Sequence, residues 1–453
     1  MIAPSPVPQP ADLLISGGYI LSMDTNNAIF YPGSVVVTKG SIVAVGPSSR
    51  IDPAYRAVKR ISARDRVVMP GLVNIHGHAS NSLIRGLGND LPLHEWLEQV
   101  CWPCMGQAQD EDLYNGVLLS CLEMMCNGVT TFADMWVGVG NSAEAVSKSG
   151  QRALLAHNIK DFGDFARGEQ ELGKALDAWQ RWHDYAEERV KVGLGPHSVY
   201  TCRPELLASI AKVSQQKNIH LQIHGSETAR EVAQAREKHG CSPIALMEEV
   251  GLLSRHTVVA HAVHVDEEDV RRLQTSGSAV AHNIASNLKL ASGIAPVARY
   301  LDAGIAVGLG TDGPGSNDGL DLLGDLKYAS LVQKVTNDDA RSVPAHQALE
   351  MVTRFGAQAL GMEDMIGSLE VGKRADIILI DVDRPHYTPH HFAYGPNIAS
   401  NLVFCGRGSD VRTVIVDGQI IVEDGVPTTL DRVAVQREAQ KSSEHILQRA
   451  GLL

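Results

Sequence analysis

Two histidines placed two residues apart, His76 and His78, follow the apolar segment Val67–Val73 and are the strongest chemical signal in the chain. Residues i and i+2 on an extended strand point to the same side. Two imidazoles placed in this way at the end of a strand are able to bind one divalent metal ion. Because a His-x-His pair also arises by chance among 18 histidines, its meaning depends on what accompanies it.

Other chemically useful side chains close later apolar segments. They are His197, His224, Glu227, His261 and Asp312. Three imidazoles and one carboxylate suit a borderline-soft ion such as Zn²⁺ or Fe²⁺ with a water in the open position. Such an ion lowers the pKa of its water toward about 7. Glu227 is then placed to carry a proton from the water to a leaving group, and His261 to hydrogen-bond the nucleophile or polarise the attacked atom.

Eight strand-like segments, most of them separated by amphipathic helical stretches, must position these residues. The predicted strands are 67–76, 128–135, 152–158, 190–197, 220–224, 257–261, 278–282 and 305–310. This alternation predicts an α/β fold, a (β/α)8 TIM barrel, whose active sites lie at the carboxyl ends of the strands. A doubly wound open sheet alternates in a similar way, but the first strand–helix turn lacks the Gly-x-Gly-x-x-Gly pattern.

Short apolar segments punctuated by glycine occur at both ends of the chain. Leu13–Ser16, Ser34–Val37 and Ile42–Val45 are typical of antiparallel strands joined by turns. The same pattern of short apolar segments occurs again in Ala375–Ile380 and Val411–Gly418. We expect the two ends to build one small β-sandwich domain together.

The domain organisation follows from these two patterns, the strand–helix alternation in the middle of the chain and the short strands at its ends. The expected units are a flexible proline-rich tail (1–11), the first part of the β-sandwich (12–67), the metal-dependent barrel (68–366), the second part of the β-sandwich (367–428) and a C-terminal helix (429–453).

Composition limits the class of protein. Hydrophobic residues make up 44% and charged residues 20%, which suits a soluble globular enzyme. The 40 basic and 52 acidic residues give a net charge of −12 with no long basic run, which argues against nucleic acid as a partner. The sequence contains no apolar stretch of roughly 18 residues, so no membrane span is predicted. Seven scattered cysteines and a start without a signal-peptide pattern indicate the cytoplasm. We expect a small-molecule substrate and a homo-oligomer, a dimer or a tetramer.

Motifs along nearly the whole chain resemble, in order, those of the amidohydrolase superfamily. They are Pro70–His78, His224-x-x-Glu227, Ala260-His261, Gly308–Gly313 and Gly367–Asp376. Two further segments resemble its aminohydrolase branch, which holds methylthioadenosine/S-adenosylhomocysteine deaminases and s-triazine hydrolases. These are Leu83–Gly86 with Leu91–Leu97, and Ser286–Pro296.

The resemblance implies a complete set of site residues. The metal ligands would be His76, His78, His224 and Asp312, and the catalytic residues Glu227, His261 and Asp312. It also implies a single divalent ion, with zinc expected and Fe²⁺ or another ion as alternatives. Two-metal members of the superfamily use a carboxylated lysine at the end of strand four, where this chain has His197. In the nucleoside deaminases the matching histidine contacts the adenine ring.

Two departures from the nucleoside deaminases concern the substrate. After a Trp-Pro pair those enzymes carry a glutamate that holds the ribose hydroxyls, whereas this chain has Met105. A thioether cannot replace a carboxylate that accepts two hydroxyl hydrogen bonds. Some members have an arginine at the end of strand three, where this chain has His157. The predicted substrate contacts are Trp96, Met105, His157 and His197.

Three functions compete on this sequence. The first is hydrolytic deamination of an amino-substituted purine, pyrimidine or pterin, including a nucleoside such as methylthioadenosine or S-adenosylhomocysteine. The second is cleavage of a C–Cl, C–N, amide, urea or thiocarbamate bond in an s-triazine-like or herbicide-like compound, which the apolar Met105 favours. The third is a non-catalytic assembly protein, which the intact ligand set and Glu227 disfavour.

Three other patterns have ordinary interpretations. Cys101 and Cys104 match Cys-x-x-Cys but lack the context of a redox fold. The histidines at 386, 390 and 391 lie in a polar, proline-containing segment and are expected to form a solvated loop. Asp134 at the end of strand two is explained by a helix cap or a hydrogen bond at the end of the barrel as well as by catalysis.

Overall fold

The computed structural model describes residues 8–391 and 397–453. Its strands, in chain order, are β1 (Gln9–Leu21), β2 (Ile29–Thr38), β3 (Ser41–Pro47), β4 (Tyr55–Ser62), β5 (Arg66–Pro70), β6 (Leu72–Asn74), β7 (Val129–Trp136), β8 (Arg152–Ile159), β9 (Val190–Pro196), β10 (Leu221–Gly225), β11 (Thr257–His261), β12 (Ala279–His282), β13 (Val307–Leu309), β14 (Ile377–Asp381), β15 (Val411–Val416), β16 (Gln419–Glu423) and β17 (Val426–Pro427).

The α-helices are α1 (Ser48–Ile51), α2 (Leu93–Trp96), α3 (Trp102–Met105), α4 (Asp110–Cys126), α5 (Val139–Ser149), α6 (Phe165–Trp182), α7 (Pro204–Lys217), α8 (Ala229–His239), α9 (Pro243–Glu249), α10 (Glu267–Ser276), α11 (Ile284–Lys289), α12 (Val297–Asp302), α13 (Leu322–Thr336), α14 (Ala345–Met351), α15 (Arg354–Ala359), α16 (Ile398–Cys405) and α17 (Arg432–Arg449). Short 3₁₀ segments lie at Asp52–Ala54, Ala79–Ile84, Pro385–Tyr387 and Gly408–Asp410, and a π-helical turn at Leu97–Cys101. None of these helices combines the length and the apolar character that a membrane span requires.

Strands β6 to β13 form one parallel sheet in which neighbours in space are also neighbours in the chain. Ile75 N donates to Leu309 O at 3.0 Å, and this bond joins the last strand to the first and closes the ring. Connecting helices such as α6 and α7 pack against the strands. The predicted (β/α)8 barrel is therefore confirmed. The doubly wound alternative is excluded, because that fold requires a reversal of strand order.

The first predicted strand is in fact two strands that belong to different sheets. Residues 67–76 were expected to be continuous, but β5 pairs with β1 and β14, whereas β6 pairs with β7 in the barrel. The chain passes between the sheets at Gly71, where a Cβ atom would lie 2.1 Å from Thr130 Oγ1. Only glycine fits so close an approach. The expected boundary after residue 67 therefore moves to Gly71.

A second sheet unites the two ends of the chain, as the sequence predicts. It has nine strands in the order β17-β16-β15-β14-β5-β1-β2-β3, with β4 paired to β1. Side chains from both ends share one apolar core in it, including Leu13, Val35, Ile377 and Ile415. The interface between β14 and β5 is thus where the C-terminal part of the chain completes the N-terminal part.

The N-terminal tail is shorter than expected. Strand β1 begins at Gln9 and pairs in parallel with β4 from Gln9 opposite Tyr55 onward. Backbone pairing therefore orders residues 9–11, which the sequence assigned to a tail. Residues 1–7, which hold the rest of that predicted tail, lie outside the described residues.

A buried ionic contact ties the barrel to the second sheet. Arg152 at the start of β8 has 2% of its side chain exposed and donates from Nε and Nη2 to Asp376, at 3.1 and 3.2 Å. Its Nη2 also donates to Asp417 Oδ1 at 2.8 Å. A guanidinium held by two carboxylates makes charge-assisted, directional bonds, so the relative position of the two domains is specified.

Helix α17 braces the segment that follows the first candidate ligands. Ser443 Oγ donates to Leu83 O at 2.6 Å, and Asn115 Nδ2 on α4 donates to Ser442 Oγ at 3.1 Å. Arg449 forms an ion pair with Asp112 at the start of α4. The C-terminal helix predicted within residues 429–453 thus supports the 3₁₀ segment directly after His78.

Candidate active site

Four side chains converge at the carboxyl end of the barrel. His76 and His78 follow β6, His224 lies on β10, and Asp312 follows β13. All four are buried. Asp312 Oδ1 lies 3.3 Å from His78 Nε2 and 3.6 Å from His76 Nε2, and His78 Nε2 lies 3.3 Å from His224 Nε2. Residues far apart in sequence are therefore brought together as their placement at strand ends predicts.

Backbone carbonyls determine which ring nitrogens face the centre. His78 Nδ1 lies 2.8 Å from Met135 O, and His224 Nδ1 lies 2.7 Å from His197 O. A carbonyl oxygen only accepts, so Nδ1 carries the proton in both rings. Burial lowers the pKa of His78 to about 4 and that of His224 well below the usual value. Both rings are therefore neutral at physiological pH, with unprotonated Nε2 atoms.

This donor set fits a divalent ion. Two lone pairs 3.3 Å apart, on His78 and His224, repel each other unless a cation lies between them. Nitrogens bound at about 2.0–2.1 Å to a tetrahedral ion are about 3.3–3.4 Å apart. His76 Nε2 and Asp312 Oδ1 are also buried and have no hydrogen-bond partner among the described residues. Three imidazoles and one carboxylate are ligands that zinc accepts.

Two serines orient the Asp312 carboxylate. Ser286 Oγ donates to Asp312 Oδ2 at 2.7 Å and Ser316 Oγ donates to the same oxygen at 2.9 Å. The other oxygen, Oδ1, is left to face the histidines. Burial opposes the charged carboxylate, but contacts with His76 and His78 outweigh it and hold the pKa of Asp312 well below its usual value. Asp312 is therefore an anion with one oxygen held in place and one available.

Glu227 and His261 face each other beside this cluster. Glu227 Oε2 lies 3.7 Å from His261 Nε2, and Ser292 Oγ donates to Glu227 Oε1 at 3.5 Å. Burial raises the pKa of Glu227, which favours its taking up a proton. Burial also opposes the charged form of His261, yet Glu227 and Asp312 outweigh it and raise the pKa of His261.

His261 is also near enough to be considered as a ligand. The metal-ligating atoms of His76, His224 and His261 lie within 4.8 Å of one another, as do those of His76, His78 and Asp312. His261 Nδ1 lies 2.8 Å from Asn287 Oδ1, which accepts from it. Its Nε2 lies beside Glu227 Oε2, at 3.7 Å, whereas no contact with Asp312 or His78 is as short as those among the four ligands. We therefore propose that it faces the substrate.

The backbone is strained where the site is built. Ser226, His261 and Asp312 have φ values of 52°, 73° and 62°, in the left-handed region that non-glycine residues rarely adopt. Glu231 holds the first of these turns by accepting from the backbone amides of Ser226 and Glu227 at 3.2 and 2.7 Å. Strained residues persist only where neighbouring structure over-determines them, and they concentrate at active sites.

Two cavities adjoin the cluster. The inner one, about 40 Å³, is lined by the candidate ligands His78, His224 and Asp312, by Glu227 and His261, and by the predicted contacts Trp96 and His197. The outer one, about 640 Å³, is lined by Met105 and His157. The four predicted substrate contacts are therefore divided between the cavities, with Trp96 and His197 at the inner one and Met105 and His157 at the outer one.

Apolar and charged side chains both line the outer cavity. Met105 is 6% exposed and presents an apolar surface. His157 Nε2 lies 2.8 Å from Glu171 Oε2, and Lys174 Nζ lies 2.8 Å from the other oxygen of the same carboxylate. The contacts with His157 and Lys174 hold the pKa of Glu171 down to about 2. His157 is therefore engaged with Glu171 in this structure.

The three patterns given ordinary interpretations occupy ordinary places. Asp134 Oδ1 accepts from Ala79 N at 2.7 Å, a hydrogen bond at the end of the barrel. Cys101 and Cys104 are buried free thiols, although Cys101 also lines the inner cavity. His386 Nε2 lies 3.0 Å from Asp410 Oδ2, so this histidine contacts the 3₁₀ segment Gly408–Asp410.

Several functional candidates escaped the sequence reasoning. They are Ser286 and Ser316 on Asp312, Asn287 on His261, Ser292 on Glu227, Glu231 beneath the Ser226 turn, and Trp102, Trp136, Lys160 and Tyr200 in the cavity walls. Ser286, Asn287 and Ser292 lie inside a segment that the sequence singled out. Nothing local distinguished Lys160 or Tyr200, because their importance depends on which strands end beside them.

Comparison with known proteins agrees with this geometry. The sequence profile of the Amidohydrolase family matches residues 67–421. A 5-methylthioadenosine/S-adenosylhomocysteine deaminase of Desulforudis audaxviator is 42% identical over 436 residues, which cover 96% of this chain and 99% of the relative.

Two solved structures share the fold over nearly their whole length. An adenosine deaminase from Xanthomonas campestris with bound zinc has a TM-score of 0.92 and 29% identity, over 98% of this chain and 100% of the other. An atrazine chlorohydrolase from Arthrobacter aurescens complexed with zinc has a TM-score of 0.86 and 27% identity, over 96% and 100%. The chain described here belongs to the amidohydrolase family.

Proposed function

We propose that this protein is a zinc-dependent hydrolase that deaminates an amino-substituted heterocycle. The single observation that carries the proposal is the convergence of His76, His78, His224 and Asp312 on one point, with Glu227 and His261 beside it in the same cavity. A divalent ion held by these ligands supplies the polarisation that makes water nucleophilic near neutral pH.

Glu227 moves the proton in this reaction. The water oxygen bonds to the ring carbon, the C–N bond breaks and ammonia leaves. Glu227 Oε2 takes the proton of the attacking water and returns it to the departing nitrogen. Its burial raises its pKa, which brings the protonated and ionised forms closer in free energy, as a residue that must serve as base and then acid requires.

His261 stabilises charge in the same step. Glu227 and Asp312 outweigh burial and raise the pKa of His261, so they stabilise a proton on Nε2 of the ring. Asn287 Oδ1 accepts from Nδ1 and fixes the ring, so Nε2–H faces the cavity. A fixed positive donor lowers the free energy of negative charge that develops on the attacked ring.

We propose an adenine nucleoside as the first substrate to test. The support is the relative named for 5-methylthioadenosine and S-adenosylhomocysteine, at 42% identity over nearly the whole chain. His197 Nδ1 is occupied by Ser198 and Thr201 hydroxyls at 3.1 and 2.9 Å, so its ring is held at the wall of the inner cavity. We expect His197 to contact the heterocycle in this position, and Trp96 lines the same cavity.

The test is ammonia release by zinc-loaded protein from methylthioadenosine, S-adenosylhomocysteine, adenosine, guanine, a pterin and melamine. We expect turnover of at least one thio-nucleoside, and its loss together with the metal in Asp312→Asn. Metal-loaded protein that releases no ammonia from any of these compounds would reject the proposal.

A second candidate is hydrolysis of another leaving group from an s-triazine. Met105 gives the outer cavity an apolar wall where a ribose-binding carboxylate was expected, and the atrazine chlorohydrolase shares the fold with a TM-score of 0.86. Chloride release from atrazine, measured beside the ammonia assay, distinguishes this candidate from the first.

Location and assembly are also proposals. All seven cysteines are free thiols, which supports the reducing cytoplasm as the location. A dimer or tetramer of this chain remains a prediction, and light scattering after size-exclusion chromatography measures it directly.

A further inference from the structure

Lys160 stands between the two cavities of the site. It follows β8 at the carboxyl end of the barrel and lines both the inner and the outer cavity. Its Nζ lies 5.6 Å from the ring centroid of Trp102 and 5.7 Å from that of Trp136. These two rings also line both cavities. Lys160 is therefore at the passage between the place of bond cleavage and the space for the rest of a substrate.

The ammonium of Lys160 makes no direct ion pair with a described carboxylate. Within residues 8–391 and 397–453, no carboxylate forms an ion pair with it and no acceptor takes its hydrogen bond. Burial accordingly lowers the pKa of Lys160. The residue is half-buried, and the two aromatic faces replace a carboxylate only in part.

The nearby acids are already engaged elsewhere. The two oxygens of Glu171 contact His157 and Lys174, each at 2.8 Å. Asp110 on the outer cavity accepts from Asn141 Nδ2 at 3.1 Å. Neither carboxylate makes a direct contact with Lys160 in this structure.

A second cation strengthens the positive character of the wall. Arg167 lines the outer cavity and lies over the Phe162 ring, with Cζ 5.0 Å from the ring centroid. It also forms no ion pair among the described residues. In a chain of net charge −12, this concentration of unpaired cations beside the candidate metal site is a local exception. A ligand that carries negative charge would be attracted to it.

We propose that Lys160 is a specificity-determining residue that binds an anionic or strongly polarised oxygen of the substrate. This inference rests on the proposed function, since it assigns the substrate class of the same site. The preferred substrates are amino-heterocycles that carry such an oxygen, and neutral compounds without one are turned over less efficiently.

Two sources of this oxygen fit the position of Lys160. One is a carboxylate on a chain attached to the ring, which would lie toward the outer cavity, as in S-adenosylhomocysteine. The other is an oxo oxygen on the ring itself, which would lie toward the inner cavity, as in guanine. In both cases one charge-assisted N–H⋯O bond pairs the ammonium.

The experiment compares kcat/KM for substrates with and without the oxygen in wild type, Lys160→Met and Lys160→Arg. Methylthioadenosine is the neutral reference, and S-adenosylhomocysteine and guanine represent the two sources. Loss of a hydrogen bond to a charged group predicts a fall of about 10- to 100-fold for the oxygen-bearing substrate in Lys160→Met, mainly through KM. Methylthioadenosine should change by less than about 3-fold, and Lys160→Arg should retain most of the preference.

A matched control is Lys217→Met, because Lys217 also lies over a tryptophan, with Nζ 5.2 Å from the Trp179 ring centroid, but lies outside both cavities. It should leave all substrates unchanged. An equal loss for methylthioadenosine and the oxygen-bearing substrates in Lys160→Met would indicate a general structural role and overturn the proposal. The proposal would also be overturned if the wild-type enzyme showed no preference for the oxygen-bearing substrates over methylthioadenosine.

A binding measurement separates this proposal from the deamination proposal. Calorimetry on Glu227→Gln, with and without Lys160→Met, measures the affinity for S-adenosylhomocysteine, guanine and methylthioadenosine without turnover. A preference that Lys160→Met abolishes supports the inference even where ammonia release fails. Ammonia release without any such preference supports deamination and rejects the role of Lys160.

Discussion

The two hydroxyls on Asp312 predict how tightly the site holds its metal. Ser286 and Ser316 both donate to Oδ2, at 2.7 and 2.9 Å, and so leave Oδ1 facing His78 and His76. The perturbation is to remove these hydroxyls singly and together, as Ser286→Ala, Ser316→Ala and the double variant. Each serine is buried and small, so alanine leaves little empty volume.

The size of the effect follows from these contacts. A hydrogen bond to a charged group contributes about 1.5–3 kcal/mol, and supporting groups around metal ligands change metal affinity by about 10- to 100-fold. One hydroxyl remains in each single variant, so we expect a loss near the lower figure, about 10-fold. The double variant leaves Oδ2 of Asp312 buried without a donor from either serine, and we expect a loss of about 100-fold.

Competition with a chromophoric chelator in zinc buffer measures the dissociation constant of each variant. Activity at saturating zinc should return to within about 3-fold of wild type, because the serines act through Asp312 rather than on the substrate. Ser214→Ala is the matched control. Its hydroxyl is also buried and donates to a backbone carbonyl, Ile219 O, at 2.6 Å, but it lies on α7 away from the site. Wild-type zinc affinity in the double variant would refute the reasoning, as would an equal loss in Ser214→Ala.

Three further predictions concern catalysis, domain contact and pH. Glu227→Gln should keep its zinc but lower kcat by at least about 100-fold, because acid–base groups contribute roughly 10²–10⁴ in rate. Metal analysis and ammonia release test this, and near-normal turnover contradicts it. Arg152→Met should lower the free energy of unfolding by about 3–5 kcal/mol, since it leaves Asp376 buried without its cation. Chemical denaturation measures the change, and wild-type stability would show that the contact is dispensable. Burial raises the pKa of Asp325 to about 7 from an ordinary 3.8, so the folded state binds this proton more tightly than the unfolded state. The stability contributed by Asp325 is therefore present at low pH and falls by up to about 1.4 kcal/mol per pH unit as the pH rises from 3.8 to 7. Because Asp325→Asn does not titrate, its free energy of unfolding relative to wild type should rise across that window, and a constant difference would refute the assignment.

The order of the strands and the residues at their ends could be predicted from the sequence, because each depends only on a short segment of the chain. Apolar segments separated by helical ones give the barrel order, and parallel strands place their carboxyl ends on one face. His76, His224 and Asp312 were therefore identified as neighbours without coordinates, although 236 positions separate the first from the last. The break at Gly71 was missed, because continuous apolar residues look alike whether they serve one sheet or two.

The supporting groups of the site were not readable in the same way. Ser286, Ser316 and Asn287 acquire their roles from distances of 2.7–2.9 Å to side chains on other strands. Serine and asparagine are common in turns, so their types alone indicate no such role. The cation at Lys160 is distinguished only by the absence of a described partner, which is a property of its surroundings.

The sequence by itself determined the class of chemistry. Histidine and carboxylate types at strand ends specify what kind of ion and what kind of proton transfer the site is able to support, since these are properties of the side chains. Tertiary structure decided the rest: which imidazole nitrogens face the centre, where Asp312 points, and that Lys160 remains unpaired among the described residues between two cavities. Tautomer, orientation and pairing depend on neighbours contributed by distant strands, so they exist only once the barrel has closed.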